Sequence, residues 1–184
     1  VMRQKLENQT GLKILEGVAE ELLVQGNQVI GLRTNNGEYI GETVIITAGT
    51  FLNGLIHRGQ DRVEAGRDSE PSVKKLSLSL GNQSLQLGRM KTGTPARLDS
   101  RSIDWSKMAI QPGDEKPKKF SFWDSEILLP QVECHIAYTN EKTHRIIQDN
   151  LGRSALYGGK ITGIGPRYCP SIEDKIVKFA DKKR

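Results

Sequence analysis

The residues with the most chemistry in one place lie near the end of the chain, in Gly163-Ile-Gly-Pro-Arg-Tyr-Cys-Pro-Ser-Ile-Glu-Asp-Lys-Ile-Val-Lys-Phe179. The stretch opens as a glycine-rich turn and closes with the spacing of an amphipathic helix. Pro170 suits a first helical position, because the N–H it lacks would be unpaired there. That reading puts Cys169 at the helix cap, where free N–H groups and the positive dipole end favour an anion. With Arg167 two residues away, such a thiol should ionise more readily than a free cysteine. Gly163 and Gly165 allow close backbone approach, and a phosphate would find donors at such a helix start. The plain alternative, a loop-to-helix junction with a small buried cysteine, stays open on these residues alone.

Other groups carry weaker signals. Lys91-Thr-Gly-Thr-Pro95 sets a cation beside two hydroxyls, fit for a phosphate or carboxylate or simply a solvated turn, and lacks the glycine–lysine spacing of a Walker loop. Ser72 either caps a helix or meets a phosphate. Cys134 and His135 are adjacent on an alternating segment, so they face opposite ways and make a poor nucleophile–base pair. His57 has no cysteine or histidine near it at metal-ligand spacing, and no metal is expected.

The elements that must position these groups follow from periodicity. Residues 1–9 read as a polar helix. Leu12–Leu15, Glu20–Val24, Gln28–Thr34 and Glu38–Ile40 read as strands, with a hairpin turn at Asn35-Asn-Gly37. Thr43-Val-Ile-Ile-Thr47 is a continuous apolar run, the mark of a strand buried on both faces of a parallel sheet, and it ends in Ala48-Gly49-Thr50. Residues 55–67 read as a surface loop. Val73, Leu76 and Leu80 have helical spacing, and Gly81-Asn82 ends that helix. Leu85–Met90 reads as a short strand and Gln131–Tyr138 as a half-buried one. Thr139 is expected to cap a helix running to about Asn150, with Gly152 as its C′ residue.

The 184 residues are 36% hydrophobic and 27% charged, ordinary for a globular protein, and no apolar run is long enough to span a bilayer. The start shows no leader pattern. Two cysteines far apart do not make a disulfide framework, so a reducing compartment is expected. A net charge of +5 permits nucleic-acid contact without establishing it. The stretch Lys116-Pro-Lys-Lys119 with Phe120, Phe122 and Trp123 can contact RNA by charge and stacking, or be a loop anchored by its aromatics.

Gly165–Phe179 closely resembles the signature of the GidA family, which modifies a wobble uridine of tRNA. Val44–Gly54, Gly88-Arg-Met-Lys-Thr-Gly-Thr-Pro95 and Thr139-Asn-Glu-Lys-Thr-His144 resemble the same family, so the likeness covers essentially the whole chain. The meander and the strand ending at Ala48 also resemble the FAD domain of glutathione-reductase-like flavoproteins. The resemblance implies an α/β fold in three parts. Residues 1–95 would be part of a Rossmann-like FAD domain, 96–163 a small α/β insertion, and 164–184 the return to the FAD domain.

It further implies an enzyme using FAD and NADH that works with the GTPase MnmE. Together they add a carboxymethylaminomethyl group, built on a folate-derived carbon, to carbon 5 of the uridine. Family enzymes are homodimers, and a cytoplasmic or, in a eukaryote, mitochondrial location is implied. FAD contacts fall on Val18, through its backbone, and on Ala48, Gly49, Thr50 and Ser72. A nicotinamide-nucleotide segment falls on Gly165, Pro166, Arg167, Tyr168, Cys169, Pro170, Ser171, Ile172, Glu173, Asp174 and Lys175. Cys169 matches a cysteine thought to act on the uracil as a nucleophile or an acid/base group.

The G-x-G-x-x-G fingerprint of such a domain is absent, so the pyrophosphate cradle is expected upstream and this piece alone is expected to bind FAD poorly and lack turnover. Two other classes stay open: a different FAD-dependent oxidoreductase, and a non-catalytic RNA-binding module.

Overall fold

The structure is a computed structural model that describes residues 2–122, 126–127, 129–163 and 170–180. The chain falls into two compact units, Val1–Arg89 and Met90–Arg184.

The first unit begins with the helix α1 (Met2–Glu7) and is built on an antiparallel meander of β1 (Ala19–Gln25), β2 (Gln28–Thr34) and β3 (Gly37–Ile40). The expected hairpin is present. Thr34 Oγ1 donates to the Gly37 carbonyl at 3.0 Å and accepts from the Asn36 N–H at 3.1 Å, which closes the turn. The helix α2 (Lys74–Asn82) packs on β1 with Leu76 and Leu80 buried. Its buried Ser79 hydroxyl accepts the Leu22 N–H at 2.9 Å, satisfying an edge-strand donor close to a register shift in β1. Gly31 permits the close β2–β3 approach: a Cβ there would lie 2.2 Å from the Tyr39 carbonyl oxygen, a backbone atom that cannot swing aside. We expect Gly31→Ala to cost about 2–3 kcal/mol. Amide exchange of Gly41, whose N–H bonds the Ile30 carbonyl at 3.0 Å, should speed up accordingly.

Residues 55–67, expected as a loop, instead form β4 (Ile56–Arg58), β5 (Asp61–Val63) and β6 (Ala65–Arg67), followed by β7 (Glu70–Pro71). The turns are made by Gly59 and Ser69, both at positive φ. These hairpins are too short for periodicity to reveal.

The apolar run 43–47 is not a strand. It belongs to no ladder, and Ile45 and Ile46 are exposed, Ile45 at 84%. Its β-branched residues suit a pleated surface, but no strand among the described residues lies alongside to pair with it. Leu12–Leu15 likewise lies outside any ladder, and of 85–90 only Met90 is bridged.

In the second unit, β8 (Ala109–Gln111) pairs with β9 (Cys134–Ile136), so the strand expected over 131–138 is only three residues long. Trp105 meets the His135 ring edge-on at 4.8 Å between centroids. The helix α3 (Glu141–Asp149) is capped by Asn140 and not Thr139. The Asn140 Oδ1 accepts the Thr143 N–H at 2.9 Å, while the Thr139 hydroxyl is 2.7 Å from His144 Nε2. Gly152 is not the C′ residue either: Asn150 is the C-cap and a 3-10 turn, Leu151–Arg153, continues the chain. The last helix, α4 (Ile172–Lys178), packs against α3 and buries Ile176. Among the described residues no helix is long and apolar enough to cross a membrane.

Candidate functional site

Val18, on the loop entering β1, and Ser72, just before α2, line the same groove of about 320 Å³. Two side-chain networks shape it. The Val18 N–H donates to Asn35 Oδ1 at 2.8 Å and its carbonyl accepts the Asn35 N–H at 3.1 Å, so the hairpin turn holds the loop. At the rim, Lys75 pairs with Glu20 at 2.8 Å and Lys74 with Glu64 at 2.7 Å. The formal charges on the groove therefore cancel, while Val18, Pro71 and Val73 supply apolar wall. Ser72 does not cap α2. Val73 is the N-cap residue and makes no side-chain cap bond, because its side chain has no acceptor. The first-turn N–H groups of α2 are thus without a side-chain acceptor at the cap.

Ala48, Gly49 and Thr50 form a turn tied to the same place. The Phe51 N–H bonds the Ala48 carbonyl at 2.9 Å, Gly49 has φ +54, and Thr50 Oγ1 donates to the Gly66 carbonyl at 2.5 Å. The next residues bridge Val73: its N–H bonds the Phe51 carbonyl at 2.9 Å, and its carbonyl accepts the Asn53 N–H at 3.0 Å. The three residues do not line the groove, yet they are anchored to the residue beside Ser72.

The C-terminal candidates divide. Gly165, Pro166, Arg167, Tyr168 and Cys169 lie outside the described residues. Pro170 is half-buried and precedes the helix; it is not its first residue. The cap of α4 is Ser171, whose hydroxyl accepts the Asp174 N–H at 3.4 Å. The expected cap at Cys169 is therefore displaced by two residues, since a serine oxygen accepts an N–H far better than a sulfur does. Ile172 and Lys175 are exposed.

Glu173 and Asp174 turn back into the unit. Ser154 Oγ donates to Glu173 at 2.9 Å, and the Tyr157 hydroxyl donates to Asp174 Oδ1 at 2.9 Å. Lys178 is 3.2 Å from the same oxygen. Burial pushes the Glu173 carboxyl up. Its own backbone N–H, the Ser154 and Ser171 hydroxyls and the Lys91 charge more than offset that, and it titrates below its ordinary value. Asp174 is likewise pushed up by burial and, on balance, held below its ordinary range by Tyr157, Lys178 and the Ser171 N–H. Tyr157 is raised, by burial first and then by its bond to Asp174. This keeps a carboxylate pair ionised beside a neutral phenol. Ser154, Tyr157 and Lys91 escaped the sequence reading of this site, because no spacing links them to α4. Among the described residues no three His, Cys, Asp or Glu side chains gather closely enough to hold a metal.

The architecture is mixed α/β, with small antiparallel sheets and short helices and with a groove between a meander loop and a helix start. The chain belongs to the family described as Glucose inhibited division protein A, which it matches over residues 1–184. It is 55% identical, over its whole length, to the tRNA uridine 5-carboxymethylaminomethyl modification enzyme MnmG of Thermodesulfovibrio yellowstonii, and 51% identical to that of Aquifex aeolicus. It covers 30% and 31% of those two proteins. A solved structure of Aquifex aeolicus GidA superposes on all of this chain with a TM-score of 0.86 at 51% identity, and the match covers 32% of that chain. The chain thus spans about a third of its relatives' length.

Proposed function

We propose that this chain is part of an FAD- and NADH-dependent enzyme that modifies carbon 5 of the wobble uridine in tRNA. By the same reading it acts as a homodimer with the GTPase MnmE, takes its carbon from a folate, and works in the cytoplasm or, in a eukaryote, the mitochondrion. Residues 1–95 and 164–184 would belong to the flavin domain and 96–163 to an insertion.

The observation that carries the reading is the groove shared by Val18 and Ser72, in a chain that matches the family from end to end. Its cancelled charges and apolar wall suit the uncharged adenosine end of FAD better than its pyrophosphate. The Val18 N–H is already bonded to Asn35, but its carbonyl has a second lone pair that can accept from the adenine amine. Ser72 offers a hydroxyl, and the Ala48–Thr50 turn fixes the neighbouring backbone. Bound there, the flavin would supply the redox chemistry.

Cys169 would attack carbon 6 of the uracil. The new S–C bond takes an electron pair from the thiolate, and the displaced π pair makes carbon 5 nucleophilic.

The test uses the whole parent polypeptide. Ser72→Trp, which fills the groove, should lower flavin retained after dialysis about tenfold. Full retention in that variant would remove the groove from the flavin site.

A further inference from the structure

Residues 112–133 join the two strands of the β8–β9 ribbon, and none of the described ones among them is in a helix or strand. A connection that long without structure of its own is uncommon in a compact fold and is usually functional. Its neck is closed: Gln111 pairs with Cys134, and a Cβ on Gly113 would stand 4.0 Å from Gln131 Oε1. The two arms beyond the neck differ. The outgoing arm carries Lys116, Lys118 and Lys119, then Phe120 and Phe122; carboxylates flank this segment at Asp114, Glu115 and Asp124 but none lies within it. The returning arm, 126–133, has no lysine or arginine, and its apolar residues are aliphatic. Phe120 and Phe122 are each 106% exposed, above every other large apolar side chain described. Lys116 and Lys118 enter no ion pair among the described residues. The segment is therefore a local group of cations beside two open rings, not a broad basic surface.

We propose that Phe120 and Phe122 are a stacking platform for two unpaired bases of an RNA, with Lys116 and Lys118 holding the adjoining phosphates. Every base has a face that stacks on an aromatic ring, and single-stranded sites combine such rings with cations along the backbone. The Cα atoms of Phe120 and Phe122 are at most about 7 Å apart, so neighbouring nucleotides of one strand can serve both rings. A paired helix keeps its bases stacked on one another and offers the rings nothing to take. A protein partner would cover aliphatic side chains as readily as rings, whereas cations beside open rings suit a polyanion that also stacks. That the RNA is a tRNA, offering unpaired nucleotides of a loop, rests on the function proposed above.

Fluorescence anisotropy on the whole parent polypeptide tests this with three labelled probes: a tRNA transcript with an unmodified wobble uridine, a single-stranded RNA oligonucleotide and a fully paired RNA duplex. Phe120→Leu with Phe122→Leu keeps apolar bulk and removes the ring faces. It should weaken the tRNA and the single strand about tenfold or more, and leave the duplex and the melting temperature unchanged. Phe120→Trp with Phe122→Trp keeps faces to stack on and should bind both at least as tightly as wild type. Lys116→Gln with Lys118→Gln should weaken the tRNA and lower the salt slope of its binding by about 2. Ring-dependent binding of the single strand, with no tRNA binding by wild type, leaves the platform standing and removes the tRNA reading. Equal affinity of wild type and the leucine variant for the tRNA and the single strand overturns the platform and leaves the function proposed above intact. Wild type that binds neither overturns both. Binding and melting temperature lowered together in the leucine and the tryptophan variants also overturn the platform, and assign the rings to packing against the rest of the parent polypeptide.

Discussion

Cys169→Ala in the whole parent polypeptide should reduce tRNA-modifying turnover by about a thousandfold or more, with flavin content unchanged. Losing a group that forms the covalent bond removes the step itself, and effects of that order are usual for nucleophiles. Cys169→Ser should not rescue, because a hydroxyl is almost wholly protonated where a thiol is partly ionised. Cys134 is the internal control. It is exposed at the start of β9, away from α4 in sequence, and Cys134→Ser should keep full activity. Substrate trapping adds a readout that a structural role would not move: a tRNA carrying 5-fluorouridine at the wobble position should form a covalent adduct with wild type and none with Cys169→Ala. Full activity in Cys169→Ser would return this cysteine to packing.

The sequence places Cys169 at a helix cap, with the dipole and free N–H groups beside it. The cap of α4 is instead Ser171, whose hydroxyl accepts the Asp174 N–H, so the first residue of α4 lies three positions after Cys169. What remains is Arg167, the two prolines and the family likeness.

Local signals were legible where the interaction that decides them is local. The Asn35-Asn36-Gly37 hairpin, β1 to β3 and the body of α2 follow from turn chemistry and periodicity. Long-range pairing was not legible. The run 43–47 has the composition of a buried strand, but whether it pairs depends on strands that sequence pattern cannot place beside it. The same holds for the site. Ser72 stands out as a helix-start hydroxyl and Val18 follows only from the resemblance, while the Tyr157–Asp174 and Ser154–Glu173 contacts join residues that no periodicity connects.

Asp174 should be the most stability-sensitive carboxylate of α4. It is buried, and its carboxylate holds three things at once: the Tyr157 hydroxyl, the Lys178 ammonium and the Ser171 hydroxyl at the cap of its own helix. Asp174→Ala should therefore cost about 2 kcal/mol of local stability, the usual scale for hydrogen bonds to a charged group. Asp174→Asn should cost less, because its amide oxygen can still accept from Tyr157. Tyr157→Phe should cost about 1 kcal/mol and should add little on top of Asp174→Ala, since both break one bond.

The pH dependence has a fixed sign. Asp174 titrates below its ordinary value in the fold, so its contribution is full above the unfolded value, about 3.9. It is lost as pH falls through the lower folded value. Tyr157 is raised, so its contribution is full below its unfolded value of about 10 and is lost as pH rises through the higher folded value. Amide exchange across α4, in the whole parent polypeptide, reads this locally. Wild-type protection should fall at the acid limb, and Asp174→Asn should flatten that fall. An acid limb unchanged in Asp174→Asn would mean that the charge of Asp174 does not hold α4 in place.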